Sequence, residues 1–383
     1  MFASTSPGLH LPEVDDDASR RRALMMRAGL LLAVLAMAGC ASIGPATVAR
    51  DRFDYMGAVS ESWKSQMLLN LVKIRYGDAP VFLDIGQIVA GYQLYGSITV
   101  DANASTFDGG AAPHAITGGF GGTAGGVYSD NPTVTYAPMA GEAFARSLMT
   151  PIPPSAILNV VQAGYPVDAV FQFGVQSVNG VDNRRVGFQQ VKPADPTFYA
   201  LLQSLRRIQD AGDIGVRTER SAKDETLDIV IRPRLSAVVE SAALNVSDIL
   251  GLDPTARDFR VVYGAVATND REIAILSRSM LEVLTDLASS IVVPENHVAE
   301  HRVAPTPEFD RGPDGPIPPL IRITSSPDRP KDAYAAVPYR GSWFWIDDRD
   351  LRSKNFFSFI MFLFTFVQTG AKDAAPVLTI PTR

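Results

Sequence analysis

The chain has 383 residues, of which 46% are hydrophobic and 20% are charged, a composition typical of globular proteins with hydrophobic cores. This composition excludes a chain that is disordered throughout, and the net charge of -6 lacks the basic excess that a nucleic-acid partner requires. The one cysteine, Cys40, excludes an intrachain disulfide and a cysteine-based metal site.

Residues 1–40 are organised like a bacterial lipoprotein signal. Arginines between residues 20 and 27 form a basic segment, residues 30–37 form a short apolar segment, and two small residues come directly before Cys40. In such signals the cysteine is acylated and becomes the first mature residue. We therefore predict a signal peptide over residues 1–40 and lipidation at Cys40, which would anchor the mature chain to a lipid bilayer.

The residue after the cysteine bears on the destination. Ala41 stands where an aspartate would indicate retention at the inner membrane, so we expect an outer-membrane lipoprotein that faces the periplasm. The arginines at 20–22 also resemble a twin-arginine export motif, although a plain basic segment of the general secretory route explains them as well. An N-terminal membrane anchor with an incidental cysteine is the alternative to lipidation.

An amphipathic helix of roughly 18 residues, ending at Gly77, is predicted next. Its apolar positions recur at helical spacing: Val59, Trp63, Met67, Leu71 and Ile74. We expect this face to pack on its own domain, and a helix lying on the membrane surface is the alternative.

Alternating residues then predict a Gly-rich β-hairpin from about residue 93 to residue 136. Its first strand places Ile98, Val100, Ala102 and Ala104 on one side and Ser97, Thr99, Asp101 and Asn103 on the other. Between them and the second strand, residues 108–126 contain 8 glycines. The 70 residues between Arg75 and Arg146 contain no Lys or Arg. We expect this hairpin to protrude and to dock a partner in preference to entering the membrane.

Helix and strand signals alternate in the remainder of the chain. Between residues 140 and 180 we expect a helix, a Pro-rich turn, and then two short helices or a helix and a strand. Helices are predicted at 195–212, 236–252, 276–290 and 349–368, and strands at 213–219, 226–233, 259–264, near Glu272, at 337–346 and at 376–381. The first of these helices has Asp195 as its cap and Pro196 at its first position. Residues 303–338 hold nine prolines and predict an extended, weakly structured crossing.

The last predicted helix contains ten apolar residues among the twelve from Phe356 to Val367. This run is too short to span a bilayer, so we expect a core helix that is buried on all sides. Together these elements predict an α+β fold with mostly antiparallel sheets and no transmembrane helix in the mature chain. We expect an N-terminal region over residues 41–180, which holds the amphipathic helix and the hairpin, and an α/β domain over residues 181–383.

Several stretches resemble a family of uncharacterised proteobacterial lipoproteins. They are LLNLVKIRYGDAPVFLDIGQI (68–88), SDNPTVTYAPMAGEAF and LMTPIPP after it, and SWFWIDDRDLRSKNFF near the end. The resemblance covers most of the mature chain. It implies a lipoprotein with an α+β fold and no transmembrane helix, and it assigns no activity, cofactor, partner or functional residue.

One string has the spelling of an active site. HVAEH supplies His297, Glu300 and His301 in the H-x-x-E-H order of inverted zinc proteases. That site needs a long helix and a further carboxylate ligand downstream, and here the acidic candidate is Glu308 in a Pro-rich segment. We therefore interpret the string as a surface turn and predict no metal ligand.

Two weaker motifs have plain structural interpretations. Gly119, Gly121 and Ala124 match the dinucleotide fingerprint G-x-G-x-x-A, but the following residues predict a strand, whereas that site requires the N-terminus of a helix.

Asp347, Asp348 and Asp350 could work as an acid and base pair or hold a cation. Because they come at the start of a predicted helix, we expect them to cap it.

These observations predict a non-catalytic outer-membrane lipoprotein that acts as a scaffold or assembly component of a cell-envelope complex, through an envelope protein or through self-association. No catalytic residue and no cofactor is predicted. The first alternative is an oligomeric outer-membrane pore to which each copy contributes the 93–136 hairpin. The second is a periplasmic hydrolase whose site is assembled from scattered residues.

Overall fold

The structure is a computed structural model that describes residues 26–27, 43–89, 92–105, 117–130, 132–187, 191–220, 225–232, 236–368 and 378–381. The chain separates into two compact units, Met1–Ser60 and Glu61–Arg383. Cys40, the apolar segment before it and the tip of the predicted hairpin at 106–116 lie outside the described residues.

Within these ranges the chain forms nine helices: α1 (Ile43–Arg75), α2 (Glu142–Met149), α3 (Pro154–Gln162), α4 (Val167–Gly174), α5 (Pro196–Asp210), α6 (Ala237–Leu250), α7 (Met280–Ser289), α8 (Glu295–Ala299) and α9 (Leu351–Gln368). Local capping fixes several starts. The Asp195 side chain accepts the Thr197 N–H at the start of α5, which confirms the predicted cap. Ser279 and Glu282 form a capping box at the start of α7.

The described strands are β1 (Phe82–Val89), β2 (Tyr92–Ser105), β3 (Thr117–Asp130), β4 (Thr133–Met139), β5 (Val175–Val178), β6 (Val181–Asp182), β7 (Arg185–Val186), β8 (Val191–Lys192), β9 (Ile214–Arg220), β10 (Glu225–Ile231), β11 (Asp258–Tyr263), β12 (Glu272–Ser277), β13 (Arg311–Gly312), β14 (Gly315–Pro316), β15 (Thr324–Ser326), β16 (Ala333–Tyr339), β17 (Ser342–Asp347) and β18 (Leu378–Pro381). Among them β11 and β12 pair in parallel and the other pairs are antiparallel. The α+β class with mostly antiparallel sheets is therefore confirmed.

The main sheet has six strands in the order β6-β5-β12-β11-β10-β9. Its central strand β12 is buried, with Ala274 and Ile275 fully enclosed. Helix α3 packs on β9, β11 and β12, while α5 packs against α4 and α6. The inner face of α5 contributes Phe198 and Leu201, neither of which is exposed to solvent. This layer of helices on one sheet forms the largest part of the hydrophobic core.

A smaller sheet with the order β15-β17-β16 carries the C-terminal helix. Helix α9 packs on β17 and on α2. Phe357, Ile360 and Phe364 of α9 are fully buried, whereas Phe362 is 56% exposed. The prediction of a helix buried on all sides is therefore wrong, because the helix turns one side toward solvent and the other toward the core.

Three other sequence predictions need correction. The structure does not divide the chain near residue 180, because β5 lies inside the sheet that β9 to β12 complete. The predicted strand at 337–346 is a hairpin, in which Arg340 and Gly341 both have positive φ angles, as a tight two-residue turn demands. The Pro-rich stretch is not weakly structured throughout, since Leu320, Ile321 and Ile323 are buried.

The predicted helix at 276–290 begins later than expected. Leu276 belongs to β12, and the helix starts at Met280 behind its Ser279 cap. Among the described residues, no helix has the length and apolar character needed to cross a membrane.

Candidate functional site

The HVAEH string contributes one residue to the core. His297 is 3% exposed, and its Nδ1 lies 2.7 Å from the hydroxyl of Tyr76, with the two rings in edge contact. Helix α8 ends before Glu300, which pairs with Arg302, and His301 has a φ of 57°. The two histidines therefore do not share a turn of helix, as a zinc site of this type requires. The prediction of a surface turn is wrong at His297, whose partner lies far away in the sequence.

The three aspartates before α9 have local partners. Asp350 accepts hydrogen bonds from the backbone N–H and the hydroxyl of Ser353, at 3.1 and 2.8 Å, which confirms the capping prediction for this residue. Asp347 accepts a backbone N–H two residues later, and Asp348 forms an ion pair of 2.7 Å with Lys354. Each of the three carboxylates thus stabilises the start of the helix.

The dinucleotide-like residues Gly119, Gly121 and Ala124 lie inside strand β3. Their backbones pair with β2, and β3 is followed by β4 rather than by a helix. A helix N-terminus that could receive a pyrophosphate is therefore not formed at this motif.

A buried charged cluster lies where β12 meets α7. Arg278 is 3% exposed and forms an ion pair of 3.2 Å with Asp286. Its guanidinium also donates to the carbonyl oxygens of Gln172 and Phe173 in the last turn of α4, and to that of Arg184. The carbonyl end of a helix favours a cation, so Arg278 joins α4, α7 and the chain before β7. This cluster was not predicted from the sequence, because its members are far apart along the chain.

The cleft beside this cluster is small. It has a volume of about 30 Å³ and contains Tyr199, whose hydroxyl donates to Asp310 at 2.9 Å. Burial raises the pKa of Tyr199 above its usual range, and the neighbouring Asp310 carboxylate raises it further. A space of this size admits about one water molecule, so its geometry suits a structural water better than a substrate. Among the described residues no group of three or more His, Cys, Asp or Glu side chains is placed to hold a metal ion.

A second cavity lies between the main sheet and its helices. It has a volume of about 270 Å³ and is lined largely by apolar residues, among them Phe171, Ile208 and Phe259. The amide of Gln209 at its edge is occupied by backbone groups of Val161, Tyr165 and Val167. Ligand sites combine apolar walls with a few polar groups that orient the ligand, and here the amide is already engaged.

The base of the hairpin is held by an amide clamp on α1. The side chain of Asn70 donates to the carbonyl of Val81 and accepts its N–H, at 2.8 and 2.9 Å. Gln66, one turn earlier, does the same with Leu83 at 3.0 and 2.8 Å. These two amides occupy the backbone groups of Val81 and Leu83 on the outer edge of the chain, where β1 begins. Neither residue was predicted from the sequence, although their spacing of four places both on one side of the helix.

Aromatic packing fixes the same base to the core. Phe82 is 2% exposed, and its ring centroid lies 4.5 Å from that of Phe364 in α9 and 5.9 Å from that of Phe144 in α2. Strand β4 pairs with β1 on one side and with β18 on the other. The hairpin therefore starts from a three-stranded sheet whose first strand packs on α2 and α9.

Beyond that base, β2 and β3 continue as one long ribbon, which we call the β-ribbon (residues 92–105 and 117–130). Gln87 faces Thr135 in the base and Ser105 faces Thr117 near the tip, and the described pairs between them keep the same register. The register shifts once, at Gly86. The bulge there separates the strand pairing that continues into the ribbon from the start of β1, which contacts the core. The predicted hairpin thus extends back to Phe82 and Met139.

The outer edges of the β-ribbon differ from those of its base. In the part of the chain that the structure describes, β2 and β3 form a sheet of these two strands alone. Each strand therefore presents a row of backbone N–H and C=O groups on its outer side. Such edges are templates for pairing with another strand. An isolated two-stranded hairpin is also marginally stable in water, which favours a partner.

The fold is thus an α+β unit that carries an anchored β-ribbon. Comparison with family models, with curated protein sequences and with solved structures finds no match to this chain.

Proposed function

We propose that the protein is a non-catalytic, lipid-anchored component of the cell envelope that works by assembly, with the β-ribbon as its assembly element. The observation that carries this proposal is the combination of a base packed on the core and ribbon edges that pair with no other described strand. The base is fixed by Asn70, Gln66 and Phe82, whereas β2 and β3 pair only with each other among the described strands. A strand pair presented in this way suits recognition by addition of strands.

The anchor and the location belong to the same proposal. The order of basic, apolar and small residues before Cys40 supports lipidation at this cysteine and attachment to the outer membrane on the periplasmic side. The resemblance to proteobacterial lipoproteins supports the same location. Assembly at a membrane surface concentrates the partners, so modest ribbon contacts suffice to hold a complex.

The anchor is tested by fractionation of Cys40→Ser, with Ala41→Ser as the matched control that keeps the cysteine. We expect Cys40→Ser to leave the membrane fraction and Ala41→Ser to remain there. Unchanged membrane attachment of Cys40→Ser would contradict lipid anchoring.

Assembly is tested on the full chain extracted gently from native membranes. We expect particles larger than a monomer, and photo-crosslinkers placed along β2 to form adducts that are absent when the crosslinkers stand on the exposed side of α6, at Val238 or Leu244. Monomers alone, with no adducts from β2, would refute the assembly function.

A further inference from the structure

The register of the β-ribbon defines two chemically different faces. Residues directly opposite each other in an antiparallel pair lie on the same face, and successive residues alternate between faces. With Ile98 opposite Ala124 and Ala102 opposite Phe120, the even-numbered positions of both strands share one face, which we call the apolar face. From β2 it receives Tyr92, Leu94, Gly96, Ile98, Val100 and Ala102. From β3 it receives Gly118, Phe120, Gly122, Ala124, Gly126 and Tyr128, and Asp130 follows at the end of the strand nearest the base.

The odd-numbered positions form the polar face. From β2 it receives Gln93, Tyr95, Ser97, Thr99, Asp101, Asn103 and Ser105. From β3 it receives Thr117, Thr123 and Ser129, interspersed with glycines and with Val127. The sequence alone showed this alternation in β2. Strand β3 is too rich in glycine to show its own, and the register assigns its residues to a face.

The dimensions of the β-ribbon match a bilayer. Each strand has 14 residues, which corresponds to a length of about 46 Å. Tilted by about 45°, as strands in membranes are, it spans about 33 Å, close to the ~30 Å thickness of the hydrocarbon region. Strands that cross membranes need about 9 to 11 residues, so the ribbon exceeds the minimum.

Aromatic residues stand near both ends of the apolar face. Tyr128 and Phe120 share this face and are separated by eight residues of β3, which is about 26 Å along the strand. Between them β3 places Gly126, Ala124 and Gly122 on the face. At a tilt of about 45° this separation corresponds to about 19 Å across the membrane, shorter than the apolar band of about 25 Å in membrane strands, but the order of small residues between aromatic ones is the same.

The residue composition in the middle of the apolar face favours contact with lipid over contact with another protein. Its residues are glycine, alanine, isoleucine and valine, whereas the centres of protein interfaces are enriched in Trp, Tyr, Met and Arg. Lipid chains adapt to any surface and need no such anchors. The absence of Lys and Arg between Arg75 and Arg146 agrees, because these residues are disfavoured within hydrocarbon.

We propose that the β-ribbons of several copies of this chain insert together into a bilayer and close into a β-barrel pore, with the apolar face toward lipid and the polar face toward a water-filled interior. This inference rests on the proposed function and specifies the partner as further copies of the chain. The ribbon edges, which pair with no other strand among the described residues, favour closure, because unpaired backbone groups are not tolerated in hydrocarbon and closure removes them. In a ring of copies, β2 of one copy pairs antiparallel with β3 of the next, and repetition of this one contact closes the sheet.

The polar face also sets a preference among solutes. Asp101 is the acidic residue on this face in the middle of β2, and each copy contributes one. A ring of carboxylates favours cations, so the pore conducts small cations in preference to anions. We expect replacement by Asp101→Asn to lower that preference.

The inference is tested in native membranes by single-cysteine scanning of residues 97–102 in the full chain. Acylation occupies the Cys40 thiol, so the introduced cysteine is the one free thiol. We expect residues 97, 99 and 101 to react with a water-soluble maleimide. Residues 98, 100 and 102 should not react, and fluorophores attached there before reconstitution should be quenched by brominated lipids.

Each other outcome identifies what failed. Apolar-face positions that are protected from the maleimide but not quenched by lipid would show a protein docked on the face, which overturns the pore and leaves the assembly function standing. Reaction at all six positions would show a ribbon in water. Absence of any complex in gentle extracts would overturn the proposed function itself.

Conductance provides a second measurement with matched variants. The full chain reconstituted in planar bilayers should form channels. Val100→Arg, on the apolar face, should lower the population of inserted subunits about thirtyfold or more. Thr99→Arg, the adjacent residue on the polar face, should still insert and should shift selectivity toward anions. Equal effects of the two substitutions would contradict the assignment of faces.

Discussion

Arg278 holds three parts of the core together through charge. Its guanidinium contacts Asp286 at 3.2 Å and the carbonyl groups that end α4. Arg278→Met removes the cation and leaves the Asp286 carboxylate with Arg184 at 3.8 Å as its remaining ion-pair partner. Breaking a buried pair in this way costs roughly 3 to 5 kcal/mol. We expect urea unfolding at neutral pH to show a loss of this size.

An exposed arginine gives the matched control for this prediction. The Arg146 side chain is 73% exposed and pairs with Glu142 one turn earlier on α2. Such pairs contribute about 0.3 to 0.5 kcal/mol, so Arg146→Met should change the free energy of unfolding little. Equal losses for the two substitutions would show that the buried cluster has no special role.

Asp350 stabilises α9 in a manner that depends on pH. Burial raises the pKa of this carboxyl. The hydrogen bonds from Ser353 and the positive charges of Arg322 and Arg352 lower the pKa by more than burial raises it, so the pKa lies below its usual range. A lowered pKa gives stability that is complete above the unfolded value of ~3.9 and is lost as the pH falls through the folded value. Asp350→Ala should therefore cost about 1 kcal/mol at pH 7 and progressively less in acid.

Asp350→Asn separates the cap from the charge. Asparagine caps helices as well as aspartate, so this variant should keep most of the stability at pH 7. Its free energy of unfolding should fall less steeply than that of the wild type as the pH is lowered. Urea unfolding in steps from pH 7 downward checks both variants, and parallel pH profiles for wild type and Asp350→Ala would contradict the assigned role.

At the scale of the element, α9 has two sides that differ in exposure. Phe359 is 8% exposed and packs against the rings of Tyr165 and Phe173, at 4.6 and 5.6 Å, whereas Phe362 is 56% exposed. Phe359→Asp buries an unpaired carboxylate and should cost several kcal/mol. Phe362→Asp should change stability by about 0.5 kcal/mol or less. Calorimetric melting of the two variants checks this prediction. If both substitutions unfolded the protein, the helix would be buried on all sides.

Elements with local signals were predictable from the sequence, and those that depend on distant partners were not. Helix α5 was predicted because Asp195 and Pro196 mark its start within two residues. The hairpin of β16 and β17 was missed because Arg340, a residue with no preference for positive φ, occupies its turn. His297 was misplaced because its partner Tyr76 lies 221 residues away. The faces of β3 needed the register, since its glycines come in adjacent pairs and show no alternation.

At the scale of the Glu61–Arg383 unit, the β-ribbon is separable from the core that anchors it. The anchoring contacts of Phe82, Asn70 and Gln66 all lie at the base, on the core side of the bulge at Gly86. Strand β18 covers β4 opposite residues 133–136, also within the base. We therefore expect the core to fold without the ribbon.

Shortening the β-ribbon tests this separation. Gly96 and Gly126 face each other, so residues 97–125 can be replaced by Asn-Gly, the two-residue turn that fits the twist of a hairpin. Because the base keeps its clamp and its aromatic contacts, we expect a cooperative melting transition within about 3 °C of the wild type, together with loss of assembly. Asn70→Leu, the opposite control, keeps the ribbon but leaves the Val81 backbone groups unpaired, and it should lower the melting temperature. If the shortened chain unfolded instead, the ribbon would be part of the core and its assignment to assembly would fall.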